Sequence, residues 1–171
     1  MDITQLIVDD HAEQRRLFAL IEELGSGETA ILKSVWNRLR VLLDTHALAE
    51  ERFFYPELLK VGRGADDKSP PAETRDAIKD HNEIRDTAAK VDRFEAGSSE
   101  WFEAVAACNK ANSDHMAEEE RQGLTDFRKH SNLDLRHRLG LQFLQFESDH
   151  LTGGGVRPVD RDADAYVLEN S

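Results

Sequence analysis

The stretch DTHALAEERFFYPEL (residues 44–58) combines helix-forming residues with a histidine and a glutamate spaced four positions apart. His46 and Glu50 therefore project from one face of a helix, one turn from each other. Apolar residues lead into this face through Leu42, and Phe53 continues it after the glutamate. The pattern predicts that both polar side chains lie inside the buried stripe. Because burying an unpartnered carboxylate is costly, we expect a compensating partner for Glu50.

Two motifs occur once in each half of the chain. The pattern D-H-x-E-x-R is found at residues 10–15 and 80–85, and H-x-x-x-E-E-R at residues 46–52 and 115–121. The interval between the two motifs is nearly the same in both halves. The repeat predicts two helix pairs of the same kind, related by a pseudo-twofold axis.

Helical periodicity predicts an all-α fold, an up-down four-helix bundle with an additional C-terminal helix and a polar tail. Short loops between long helices imply antiparallel neighbours. The four bundle helices cover roughly residues 4–24, 28–60, 72–95 and 99–130, and Pro56 bends or ends the second. Residues 1–130 are therefore predicted to form the bundle, residues 131–152 a helix packed on it, and residues 153–171 a flexible or contact-making tail.

Composition excludes several classes of function. The 171 residues carry a net charge of −12, which argues against binding to nucleic acid or to an anionic membrane surface. No apolar run approaches the length that spans a bilayer, and the acidic start of the chain is unlike a signal peptide. The single cysteine, Cys108, cannot form an internal disulfide. These features predict a cytoplasmic protein, with Cys108 as a buried thiol.

Six polar residues of the two repeats share helix faces that are otherwise apolar. Two antiparallel helix pairs would bring them together near the middle of the bundle. Imidazole binds zinc, copper, iron and nickel, and carboxylates bridge two ions and balance their charge. The sequence therefore predicts a metal site built from His11, His46, Glu50, His81, His115 and Glu119.

The constellation H…HxxxE…H…HxxxE resembles the hemerythrin-like, or HHE cation-binding, family over residues 4–130. The resemblance implies a non-haem centre of two iron ions with an oxo or hydroxo bridge, held by those six residues. Zinc or manganese could occupy the same donors in a purified sample. The chain departs from oxygen-carrying hemerythrins at Arg85, where they have a further histidine, and at Glu119, where they have an aspartate one position later. Both differences argue against reversible oxygen carriage.

The small molecules that fit such a centre are hydrogen peroxide, dioxygen and nitric oxide. Members of this subgroup are associated with catalase-like chemistry, so the resemblance implies an oxidoreductase that disproportionates peroxide. Two alternatives remain open: binding, sensing or scavenging of dioxygen or nitric oxide without turnover, and iron handling. Tyr55 follows Glu50 by five residues. Its phenol lies either close to the metals or at the solvent-exposed end of the bundle.

Charged residues beside the predicted ligands have two interpretations each. Asp10 and Asp80 precede the first histidines and are either surface acids or acceptors for an imidazole of a neighbouring helix. Glu51 and Glu120 follow the glutamates and are either solvated or close to the ligands. Arg85 is predicted to be a surface charge or to neutralise the acidic region near the metals.

One further motif points to a different metalloprotein class. Residues 147–150 read E-x-x-H, a spacing used by ferritin-like centres. The motif occurs once and lacks the partner that such a centre needs, so the sequence does not predict a ferritin. His130, His137 and His150 lie outside the repeat and are predicted to be surface histidines.

Overall fold

The computed structural model describes residues 1–171 and contains eight α-helices and no strand. In chain order they are α1 (Ile3–Leu24), α2 (Thr29–Ala49), α3 (Tyr55–Val61), α4 (Pro70–Val91), α5 (Ser99–Arg121), α6 (Gly123–His130), α7 (Leu133–Leu151) and α8 (Ala163–Asn170). Side-chain caps begin several of them: Asp2 accepts a hydrogen bond from the Thr4 amide, and Ser98 accepts one from the Trp101 amide. The all-α prediction is confirmed.

The four long helices α1, α2, α4 and α5 form the bundle. The sequential pairs α1–α2 and α4–α5 pack against each other, and α1–α5 and α2–α4 contacts close the ring. Two apolar clusters fill its interior. One includes Ile7, Phe54 and Ile78, and the other includes Phe18 and Trp101. A layer of buried polar side chains separates the two clusters, and this layer contains all six predicted metal ligands.

The second predicted helix is divided by a π-helical turn but does not end there. Helix α2 ends at Ala49, residues Glu50–Phe54 form a π-helical turn, and α3 begins at Tyr55. Pro56 explains this wider turn, because it has no N–H to donate and its ring crowds the carbonyl four residues earlier. The fourth predicted helix is also split, since Gln122 leaves the helical conformation between α5 and α6.

The last two helices cover the bundle from outside. Helix α7 lies against α1 and α2, as the sequence predicts for a C-terminal helix. Helix α8 packs on α4 and buries Ala163, Tyr166 and Val167. The periodicity analysis did not predict this helix, because eight residues give a weak pattern. No helix combines the length and apolarity needed to cross a bilayer.

Candidate metal centre

The six predicted ligands lie in the polar layer between the two apolar clusters. Their donor atoms form two groups within 4.8 Å that share one glutamate: His11, His46 and Glu50 in one, and Glu50, His81 and His115 in the other. All five residues are buried, with between 0% and 4% of their surface exposed. The sharing of Glu50 places it between the two histidine pairs, where a bridging ligand would lie.

Glu50 directs its two oxygens toward different halves of the bundle. Its Oε1 lies 3.0 Å from the Nε2 of His46, and its Oε2 lies 3.2 Å from the Nε2 of His81. The Nε2 atoms of His81 and His115 are 3.2 Å apart. Oε2 of Glu119 lies 3.4 Å from the Nε2 of His11. Four imidazole nitrogens and two carboxylates therefore face a common centre.

Several of these facing atoms have no hydrogen-bond partner. They are Nε2 of His11, Nε2 of His46, both side-chain oxygens of Glu50 and Oε2 of Glu119. Unpaired buried polar atoms are rare, because each costs about 1–3 kcal/mol in lost solvation. Since every atom of this set is a potential electron-pair donor to a metal, the residues fit bound cations.

The opposite nitrogen of each imidazole faces a carboxylate on another segment. Oxygens of Glu120, Asp10 and Glu51 lie 2.9, 2.9 and 3.0 Å from Nδ1 of His11, His46 and His81, and an oxygen of Asp80 lies 3.5 Å from Nδ1 of His115. Such partners fix the ring orientation and keep Nε2 free to bind a metal. Each is adjacent in sequence to a predicted ligand. Since successive helical residues are rotated by about 100°, these neighbours point to the next helix.

Glu51 contacts more positively charged side chains than Glu120, Asp10 or Asp80 does. Its oxygens accept hydrogen bonds from Arg85 and from Arg161, besides facing His81. Burial by itself raises the pKa of Glu51, but His81 and Arg85 lower it to about 2. Arg85 is only 6% exposed. It is therefore buried against the site, and its interpretation as a surface charge is wrong.

The carboxylates of the layer favour positive charge at its centre. Burial would lower the pKa of His81, but the adjacent carboxylates of Glu50 and Glu51 raise it to about 9. The pKa of His46 is raised well above its ordinary value for the same reason, by Glu50 and Asp10. Burial would raise the pKa of Glu50, but His46 and His81 hold it well below its ordinary value. An environment that stabilises protonated imidazoles also stabilises metal cations in their place.

Tyr55 lies at the layer, and the π-helical turn puts it there. Its backbone N–H bonds to the carbonyl of Glu50, five residues earlier. In a regular α-helix a five-residue step rotates the side chain by about 140°, away from the face of Glu50. The longer turn instead aims the phenol inward, and it donates a 2.5 Å hydrogen bond to Oε1 of Glu119. Burial and the nearby Glu119 and Glu50 raise its pKa well above the ordinary value, so the phenol stays protonated.

Glu147 of α7 is a neighbour of the site that the sequence did not predict. Its carboxylate lies within 4.8 Å of Asp10 and His46, which support one another across α1 and α2. Burial and the adjacent Asp10 raise the pKa of Glu147 to about 9. The E-x-x-H motif was the available signal, but its spacing is typical of ligands and does not indicate a buried acid beside an aspartate.

The comparisons with known proteins give one result. Residues 2–124 match the family model for the hemerythrin HHE cation binding domain. No curated protein matches the chain significantly, and neither does any solved structure.

Proposed function

Because this chain belongs to the hemerythrin HHE cation-binding domain family, we propose that its polar layer holds two iron ions and disproportionates hydrogen peroxide. The ligands we propose are His11, His46, Glu50, His81, His115 and Glu119. The family and the two His/Glu clusters establish a metal-binding domain. The identity of the metal and the reaction are our proposal.

The unpaired buried donor atoms are the observation that carries the proposal. Two histidine pairs that share Glu50 suit two ions rather than one, since each pair has its own Nε2 atoms and one glutamate oxygen. Imidazole and carboxylate donors also suit manganese and zinc. Six donors from the protein leave two ions short of octahedral coordination, so small molecules can bind.

The protein holds this centre rigid and dry. Carboxylates at Nδ1 orient each ring, and Arg85 keeps Glu51 ionised beside His81. Tyr55 fixes one oxygen of Glu119 and holds a proton on its phenol oxygen, next to the centre. The apolar clusters above and below the layer exclude bulk water.

Two bound irons would supply a centre that accepts and returns two electrons. In the net reaction, one peroxide is reduced to two waters by taking up two electrons and two protons. A second peroxide releases the same number of each and becomes dioxygen. No outside reductant is needed.

Oxygen release from peroxide tests the reaction. Protein reconstituted with iron should evolve one dioxygen for every two peroxides over many turnovers, measured with an oxygen electrode against metal-free protein and free iron. Evolution that stops after one equivalent contradicts catalysis. A stable adduct of dioxygen or nitric oxide without peroxide turnover would support the binding alternative instead, and rapid iron release at low free iron would support iron handling.

Substitution of the proposed ligands tests the metal assignment. Glu50→Ala and His115→Ala should each lower the iron content from two per chain and lower the melting temperature together, because metal binding stabilises the fold. The matched controls are Glu57→Ala and His137→Ala, which remove the same groups from outside the layer. Unchanged iron content in both ligand variants would refute the assignment.

A further inference from the structure

A narrow cleft leads from the surface to one side of the polar layer. It runs between α4 and α5, and its inner end is lined by Tyr55, His115 and Glu119. Its volume is about 20 Å³, enough for a water-sized molecule or a bare ion. The larger cleft beside Trp36 is at the other end of the bundle and contains none of the proposed ligands.

Carboxylates dominate the lining of this cleft. They are Glu73, Asp76, Asp80, Glu118 and Glu119, and no lysine or arginine is among the lining residues. Side chains of one charge along a cleft with low-dielectric walls concentrate ions of the opposite charge. The cleft therefore attracts cations and repels anions.

Two buried carboxylate oxygens in the cleft have no partner. Glu73 is 6% exposed; its Oε1 accepts a hydrogen bond from the Ala65 amide, but its Oε2 has none. Oε2 of Glu119 is also unpaired. Both residues are among those that line the cleft. Surface acids would have water as a partner, whereas these two are positioned for a passing or bound cation.

Lys68 closes the mouth with its ammonium group. Its Nζ lies 3.2 Å from Oδ2 of Asp76 on α4 and 3.2 Å from Oε2 of Glu118 on α5, so it bridges the two sides. Lys79 approaches Asp76 more loosely, at 3.8 Å. Lys68 belongs to the connection between α3 and α4 and is partly exposed, so it can move aside. An ammonium in this position competes with an arriving metal ion for the same oxygens.

We propose that this acidic cleft is the path by which divalent metal ions reach the polar layer, with Lys68 as its gate. The inference rests on the proposed metal site but is separate from the reaction. Asp76 and Glu118 capture the ion at the mouth, and Glu73 and Asp80 in the cleft lining stabilise it on its way to Glu119 and His115. These cleft carboxylates control the rate of loading, whereas the six ligands determine the final amount bound.

Loading of metal-free protein with ferrous iron, without oxygen, tests the path. Uptake is followed by stopped-flow competition with a chromogenic chelator at low ionic strength. The double variant Asp76→Asn/Glu118→Gln should load about threefold to tenfold more slowly than the wild type, yet reach the same iron content. Lys68→Ala should load faster, because the competing ammonium is gone. Added salt should reduce both differences.

The matched control is Asp86→Asn/Glu103→Gln, which neutralises exposed acids on the same two helices, away from the mouth. It should load at the wild-type rate. Equal rates for the cleft variant, the control and the wild type, with full final iron, would overturn the path while leaving the metal site intact. A wild-type protein that binds no iron would overturn the metal site itself, so the two failures are distinguishable.

Discussion

Each imidazole of the polar layer is held at Nδ1 by a carboxylate from another segment of the chain. Glu120 of α5 reaches His11 on α1, and Glu51 of the π-helical turn reaches His81 on α4. The contacts join neighbouring helices and fix the ring rotations at the same time. Single residues beside the ligands therefore control the site without needing to touch a metal.

Tyr55→Phe tests the phenol contact. Loss of the hydroxyl leaves Oε1 of Glu119 buried without its donor, so we expect about 1–3 kcal/mol lower stability of the metal-free protein. Weaker iron binding should accompany this loss, measured by competition with a chelator. Tyr166→Phe is the control, because its hydroxyl bonds the Glu51 carbonyl instead. Iron affinity that falls equally in both variants would contradict a specific role for Tyr55.

Asp2→Ala tests the cap of α1. Burial alone would raise the pKa of Asp2, but hydrogen bonds from Thr4 and Arg136 lower it below 3.8. A carboxylate with a lowered pKa stabilises the fold fully above its unfolded value and loses this effect as the pH falls through the folded value.

The variant should therefore be about 1 kcal/mol less stable near neutral pH. The difference should shrink below pH 3.8 and continue toward zero at lower pH, as measured by urea denaturation. Asp9→Ala, on the exposed face of α1, is the control and should change stability by less than about 0.5 kcal/mol. A deficit that persists in acid would show that the carboxylate charge is not the cause.

At the scale of elements, two irregular segments bring residues to the layer. The π-helical turn turns Tyr55 inward, and the segment before α8 brings Arg161 to Glu51. Tyr166 of α8 adds a hydrogen bond to the backbone carbonyl of Glu51. Regular continuation of α2 would have pointed Tyr55 elsewhere, and a loose tail would have left one side of Glu51 open to water.

Removal of residues 156–171 tests the role of α8. The deletion exposes the surface that Tyr166 and Val167 cover, and each buried apolar side chain contributes about 1.5–3 kcal/mol. We expect the metal-free truncated protein to be about 3–5 kcal/mol less stable in urea denaturation.

Arg161→Ala separates the charge contact from this burial. The partly exposed Arg161 should contribute at most about 1 kcal/mol to stability. Arg75→Ala, which breaks a surface contact with Asp164 of α8, serves as its control.

An unchanged unfolding midpoint in the truncated protein would contradict the packing of α8.

At the scale of the whole molecule, a polar layer divides the core in two. The cluster with Phe54 and the cluster with Trp101 each bury apolar surface, but the histidines and glutamates between them stabilise the fold only when paired. Stability of the bundle and occupancy of the layer are therefore coupled.

Metal removal tests this coupling. With free ferrous iron at one hundred times its dissociation constant, binding should add about 2.7 kcal/mol to the free energy of unfolding for each of the two sites. The melting temperature should therefore fall when a chelator removes the iron and recover when iron is restored. His137→Ala should behave like the wild type. A melting temperature independent of iron in both proteins would contradict the coupling.

Local periodicity was enough to predict the bundle and the six-residue constellation, because both follow from the spacing of residues along the chain. A spacing of four between His46 and Glu50 fixes a common helix face, and the repeat of that spacing in the second half fixes a second such face. The all-α fold followed from the same periodicity.

The neighbours that act on that constellation became known from the packing of the helices. Asp10, Glu51 and Arg85 are flanking charges whose partners lie on other helices, so sequence spacing could not distinguish surface from interior. The inward position of Tyr55 depends on a π-helical turn. The formation of α8 depends on its burial against α4. Helical periodicity is a local property of the chain, whereas the pairing of buried charges depends on how the helices pack.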